Sequence, residues 1–323
     1  MEEKEKLLFS RQIKTKKIHL LIIESLIPQI ILGFCYFIIY LKTNYLFYFL
    51  LQILFFLLLS IIILIFTSYP ERNHYLIGLC LSSIFSFSFS MIFFTDNIYY
   101  PLYLYFITLC IYHYTEFFSV LLYHFEKLNC EYFLIDQSIS WIIATIVSFA
   151  ETILETHYFN KYKKIKFFFI IGLIMTIIGQ IFRIAGIFTG KKNFTHRISY
   201  EKEKEHKLVT HGIFSISRHP SYFGFYLWSV GIEIMCCNPI CTIAFIFILF
   251  LFFKKRILVE EKLLIRFFGK EYLDYKKKVG ILIPFISLSK EDEEANLKFH
   301  YNLNKKIIYK KYISINIKIN LIK

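Results

Sequence analysis

Two short stretches of this chain hold side chains from which chemistry could be built. One is Arg218-His219-Pro220-Ser221-Tyr222; the other is Arg256-Ile257-Leu258-Val259-Glu260. Pro220 suits the first turn of a helix, where its missing N–H would have no partner anyway. The donor-rich, positive N-terminus of such a helix suits a carboxylate or a phosphate. Arg218 and Tyr222 stand four residues apart and would share a face, as would Arg256 and Glu260. A guanidinium is the side chain that holds a carboxylate through two parallel hydrogen bonds and keeps its charge. Both stretches also have plainer accounts. Arg, His and Tyr are favoured at headgroup depth in a membrane, and Arg256 with Glu260 would serve as an intrahelical ion pair on a solvated face. Chemistry is favoured by placement, because the apolar segment between them can turn back on itself. Residues 218–222 and 256–260 would then return to one interface, with two cations and a carboxylate beside an apolar chamber.

The elements that must position them are written in the composition. Of 323 residues, 56% are hydrophobic, 20% aromatic and only 19% charged, which excludes an ordinary soluble domain. Runs of about 20 apolar residues, enough to cross roughly 30 Å of hydrocarbon, recur along the chain. Eight are expected, near 18–41, 45–69, 75–95, 99–123, 132–156, 167–189, 219–237 and 239–253. Continuous apolar runs without strict alternation reject a β-barrel. The expected fold is therefore all-α, a polytopic transmembrane bundle of about eight spans. Asn238-Pro239 would form the tip of a short C-terminal helical hairpin, since Pro cannot continue a preceding helix. A cytosolic helix would follow it, with Leu263, Leu264, Phe267 and Phe268 as its apolar stripe and Gly269 as its stop.

The organisation expected is a cytosolic N-terminus over 1–17, a transmembrane scaffold of about six helices over 18–189, and a linker, hairpin and catalytic region over 190–286. Residues 287–323 would be a low-complexity, poorly ordered tail. The first apolar run is too long for a signal-peptide core and is expected to remain as a span. Six Lys/Arg precede the first span, seven lie in 190–218 and seventeen follow residue 253. The positive-inside rule puts all three regions in the cytosol, although Lys161, Lys163, Lys164 and Lys166 then fall in an outside loop. The net charge of +14 fits orientation and attraction to anionic headgroups, with no nucleic-acid partner. Seven cysteines lie in or beside apolar spans without metal-ligand spacing, so they read as small buried hydrophobes and no metal is expected.

Identities and spacings together resemble the isoprenylcysteine carboxyl methyltransferase family. The likeness runs through GQIFRIAGIFTGKKNFTH, HKLVTHGIF, RHPSYFGFYLWSVG, NPIC, FFKKRILVEE and FFGKEYLDYKKKV followed by IPFI, from Gly179 to Ile286. A weaker likeness reaches back through Tyr112-His113-Tyr114-Thr115-Glu116-Phe117 to Glu151. Phospholipid methyltransferases and sterol reductases carry boxes similar to RHPSY, so it is only moderately specific alone; the ordered set with these spacings is far more so. The resemblance implies an enzyme of the endoplasmic reticulum membrane with its active site facing the cytosol. Its reaction would be methyl esterification of the α-carboxylate of a C-terminal prenylated cysteine, with S-adenosyl-L-methionine as cofactor. Partners would be prenylated proteins of the small-GTPase type, entering from the lipid. The matching positions imply that His206, Lys207, Leu208, Val209, Phe214, His219, Pro220, Ser221, Tyr222 and Glu260 hold the cofactor, with Ser199 added, and that Arg256 contacts the substrate carboxylate. Phe214 replaces a family Tyr, Ser199 replaces a Gln, and Glu233 replaces a neutral amide, either as an altered polar contact or as a partner for Arg183. The alternatives are a phospholipid N-methyltransferase, which would need a base for its amine, and an NADPH-dependent sterol reductase, which would want further cations for a 2′-phosphate.

Overall fold

The computed structural model describes residues 71–93, 99–124, 130–135, 138–159, 166–202 and 206–302, with helical positions at 54, 57, 58, 61 and 65. The expected N-terminus over 1–17, the first span, most of the second, most of the basic 157–166 loop and the tail beyond 302 lie outside the described residues. All regular structure among the described residues is helical. The helices are α1 (Glu71–Ile92), α2 (Tyr100–Tyr123), α3 (Ile139–Tyr158), α4 (Lys166–Gly190), α5 (Pro220–Met235), α6 (Pro239–Phe268) and α7 (Lys270–Lys278), then α8 over 290–302. Three are long and apolar enough to cross a membrane, namely Tyr100–Tyr123, Ile139–Tyr158 and Lys166–Asn193.

The described residues up to Thr176, with Gly231–Cys241, make one compact unit; the described residues within Ile177–Val230 and from Thr242 to 302 make the other. In the first unit α1 and α2 close over a 3-10 turn at Cys130–Phe133, with Leu81, Cys110, Phe117 and Phe133 buried together. The rings of Phe117 and Phe133 stack at 4.0 Å. The span expected from 132 begins only at Ile139, because the Ser138 side chain accepts the Trp141 N–H and caps α3. Glu151 on α3 accepts the N–H groups of Ile240 and Cys241, both at 2.8 Å, so a carboxylate sits on the positive N-terminus of α6. Glu233 accepts from Ser148 at 2.7 Å and from Asn238 at 2.8 Å. It is thus an altered polar contact of this unit.

The second unit carries the site. Helices α4 and α5 touch backbone to backbone there: a Cβ on Gly179 would lie 2.4 Å from the Trp228 nitrogen, and one on Gly224 2.4 Å from the Arg183 nitrogen. Small residues at a helix crossing permit that approach in a membrane. Helix α6 runs antiparallel to α5, the Tyr226 hydroxyl meeting the Ile246 carbonyl at 3.2 Å and the Tyr222 ring lying 5.4 Å from Phe253. The cytosolic helix expected after 253 is not separate. Helix α6 continues unbroken for 30 residues, since 254–268 hold no Gly or Pro and are rich in good helix formers. It stops at Gly269, whose φ of 58° a Cβ would disfavour. Residues 290–302 are also helical where composition gave a poorly ordered appendage; Leu297 packs onto the buried Ile265, Tyr272, Tyr275 and Leu288.

Candidate active site

A cleft of about 900 Å³, counting its open mouth, lies in the second unit. Its walls include His206, Lys207, Leu208, Val209, Phe214, His219, Pro220, Ser221, Tyr222, Glu260 and Ser199. Every residue assigned to the cofactor from the sequence is therefore brought to one place. Leu263, Leu264, Phe267 and Phe268 add an apolar wall, and Asn193 and Arg197 polar groups. Asn193 had no signal in the sequence pattern; its side-chain oxygen accepts the Lys207 N–H at 2.8 Å and fixes the 206–209 strip. The rings of His206 and Phe268 meet edge-on at 5.5 Å. Ser199 donates to the Glu201 carbonyl at 2.7 Å.

Pro220 starts α5, so the N–H groups of Ser221 and Tyr222 belong to a first turn that has no earlier carbonyls to reach. Arg183 from α4 donates to the Ser221 hydroxyl at 2.7 Å. Tyr222 is the junction. Its hydroxyl donates to Glu260 at 2.5 Å and accepts from Arg256 Nε at 2.9 Å, and the guanidinium lies 5.3 Å from the centre of its ring. Arg256 also donates to the His196 carbonyl. It is not among the residues lining the cleft and reaches that wall through Tyr222. The expected face shared by Arg218 and Tyr222 does not form, because Arg218 precedes the helix and turns the other way.

Arg218 instead meets Glu261, a residue the spacing argument passed over. Glu261 accepts Arg218 Nε at 3.0 Å and Nη2 at 3.1 Å, lies 2.9 Å from His219 Nε2 and accepts the Tyr272 hydroxyl at 2.5 Å. Lys276 stands 3.3 Å from its other oxygen. Adjacent helix positions point about 100° apart, so Glu260 faces Tyr222 and Arg256 while Glu261 faces the 218–219 corner. Burial alone would raise the Glu261 carboxyl. The hydrogen bond and charge of His219 and the Arg218 guanidinium outweigh it and hold the group well below the carboxylate range. Burial pushes the Tyr275 phenol up to about 12, so it stays a neutral donor, and it binds the Phe214 carbonyl at 2.5 Å. The Arg218 N–H reaches the Gly280 carbonyl at 3.0 Å. Helix α7 and the turn after it thus clamp the 214–219 corner from behind.

The chain resembles known proteins over this same region. The model of the isoprenylcysteine carboxyl methyltransferase (ICMT) family matches residues 171–266. The protein-S-isoprenylcysteine O-methyltransferase of Tribolium castaneum is 39% identical over 178 residues, 55% of this chain and 63% of that one. Its counterpart from Saccharomyces cerevisiae is 38% identical over 189 residues, 57% of this chain and 79% of the yeast protein. The chain thus spans less than two thirds of the beetle relative and more than three quarters of the yeast one. A solved structure of the eukaryotic intramembrane Ras methyltransferase ICMT superposes with a TM-score of 0.74 at 30% identity, over 81% of this chain and 94% of that one. Both the 218–222 corner and the Arg256–Glu261 segment fall inside the matched stretch, and the chain belongs to the isoprenylcysteine carboxyl methyltransferase family.

Proposed function

We propose that this chain esterifies the α-carboxylate of a C-terminal S-prenylcysteine within the bilayer, with S-adenosylmethionine as the methyl donor. The relatives it matches are named as O-methyltransferases of S-isoprenylcysteine, which favours a carboxylate acceptor over an amine or a reducible double bond. The observation that carries the reading is the Tyr222 junction, where one hydroxyl joins Glu260 on the cleft wall to Arg256 beyond it.

The donor set fits the cofactor. A carboxylate suits the first-turn N–H groups at Ser221 and Tyr222, a cation suits Glu260, and a purine suits Leu208, Val209, Phe214 and the Phe267–Phe268 wall. His206, Lys207, His219, Pro220 and Ser199 complete that shell. When bound, S-adenosylmethionine supplies an electrophilic methyl group on a cationic sulfur. An α-carboxylate has a pKa near 3.5 and is already ionised at neutral pH, so the protein needs no general base. What the residues must do is strip water from the carboxylate and hold it in line with the methyl group. Arg256 does the holding: its orientation is fixed by Tyr222 and the His196 carbonyl, and its planar fork suits a carboxylate.

The acceptors are prenylated proteins of the small-GTPase type. Each buried methylene of the prenyl chain contributes about 0.8 kcal/mol, so the substrate arrives laterally through lipid while the polar donor arrives from the cytosol. This fits an eight-span arrangement in the endoplasmic reticulum membrane with both termini and the cleft on the cytosolic side. To test it, membranes holding the protein are given methyl-labelled S-adenosylmethionine and N-acetyl-S-farnesylcysteine. A base-labile methyl ester is expected, and none with unprenylated N-acetylcysteine. Label appearing in phosphatidylethanolamine and not in prenylcysteine would overturn the assignment.

A further inference from the structure

Helix α8, over 290–302, lines no part of the cleft, yet it packs against elements that do. Arg266, near the end of α6, donates to the Asn296 side-chain oxygen at 2.6 Å, and Asn296 is only 4% exposed. His300 Nδ1 lies 2.6 Å from the Arg266 carbonyl, in the last turn of α6 where the helix leaves its own carbonyls unmet. Leu297 packs into the cluster that includes Leu208, Leu264 and Phe268, all three of which line the cleft. Lys276 on α7 links the helix to the polar corner, 2.6 Å from Glu293 and 3.3 Å from Glu261. Its side chain is 15% exposed and that of Glu293 28%, against 39% and 41% for the neighbouring Lys262–Asp292 pair. A shielded pair is screened less by salt than an exposed one. Glu294 and Lys298, on the same helix, are exposed.

We propose that α8 is a positioning element of the donor site: Glu293, acting through Lys276 and Glu261, fixes the His219 side of the cleft, and Leu297 fixes the Leu208–Phe268 side. Donor affinity therefore depends on a segment past the IPFI box. This rests on the cleft being the S-adenosylmethionine site. Lys276 without Glu293 would be free to leave Glu261, and the carboxylate that aligns Arg218 and His219 would lose one of its partners.

The test is equilibrium binding of S-adenosylhomocysteine to the full chain in lipid nanodiscs, with steady-state kinetics alongside. Glu293→Gln is expected to weaken binding about fivefold, the size of a partly shielded ion pair. Lys276→Gln should do the same, and the double variant no more than either alone. The donor KM should rise with the dissociation constant, while kcat and the KM for N-acetyl-S-farnesylcysteine stay within about twofold. Glu293→Asp should recover part of the loss, Glu294→Gln should lose nothing, and a chain ending at Leu288 should lose more than Glu293→Gln. If Glu293→Gln and the shortened chain bind as tightly as the wild type, or if Glu294→Gln loses as much as Glu293→Gln, the role of α8 is wrong and the donor site stands. If the wild type binds no S-adenosylhomocysteine, both fall.

Discussion

Glu261 shows how a single carboxylate organises the corner from which the site is built. It is 1% exposed, and Arg218, His219, Tyr272 and Lys276 all converge on it. Removing one partner of a buried pair leaves the other charge without compensation, which costs about 3–5 kcal/mol. Glu261→Gln should therefore lower the unfolding midpoint at neutral pH and release the Arg218 guanidinium. The sign of its pH dependence follows from the carboxyl being held below its ordinary value of 4.5. The stabilisation is complete above that value and is lost as pH falls from it toward the folded value. Thermal melts of the wild type and of Glu261→Gln should stand well apart at neutral pH and converge in acid; a constant gap would contradict the buried pairing. The Arg256–Glu260 spacing led directly to Glu260. Glu261 was harder to see because its partners lie 11 to 43 positions away. One signal did exist: Ile257, Glu261 and Ile265 are four apart and essentially unexposed, so an acid stands in the middle of an apolar stripe.

Among elements, the contact between α4 and α5 sets where Arg183 and Ser221 meet. Gly186 faces Ser221, and a Cβ on Gly224 would lie 2.4 Å from the Arg183 backbone nitrogen, so a side chain at 224 pushes the helices apart. Gly224→Ala should cost roughly 1–3 kcal/mol through overpacking and also weaken S-adenosylhomocysteine binding, because the Arg183–Ser221 bond of 2.7 Å holds the first turn of α5. Melting temperature and donor affinity both unchanged would show that this contact does not matter. The helical class, the Asn238-Pro239 turn and the stop at Gly269 could be read from apolar runs and from Pro and Gly chemistry. The unbroken α6 could not, because hydropathy changes at Lys254 whereas helix propensity does not. Helix α8 was hidden in a biased composition, and its order comes from tertiary partners such as Arg266 and Lys276, which no local pattern encodes.

At the scale of the whole molecule, the apolar runs and the placement of Lys and Arg place the chain in a membrane, and the three long apolar helices agree with that. We propose a division of labour across Tyr222, with the donor in the cleft on one side and the prenylcysteine carboxylate held by Arg256 on the other. It is tested most directly by measuring S-adenosylhomocysteine affinity and prenylcysteine methyl-ester formation on the same Arg256→Ala preparation in nanodiscs. Arg256 does not line the cleft, so donor affinity should stay within a few-fold of the wild type. Ester formation should fall about a hundredfold or more, as expected for loss of a bidentate charged contact to the reacting group. Full turnover by Arg256→Ala, or a loss of donor binding as large as the loss of turnover, would contradict that division.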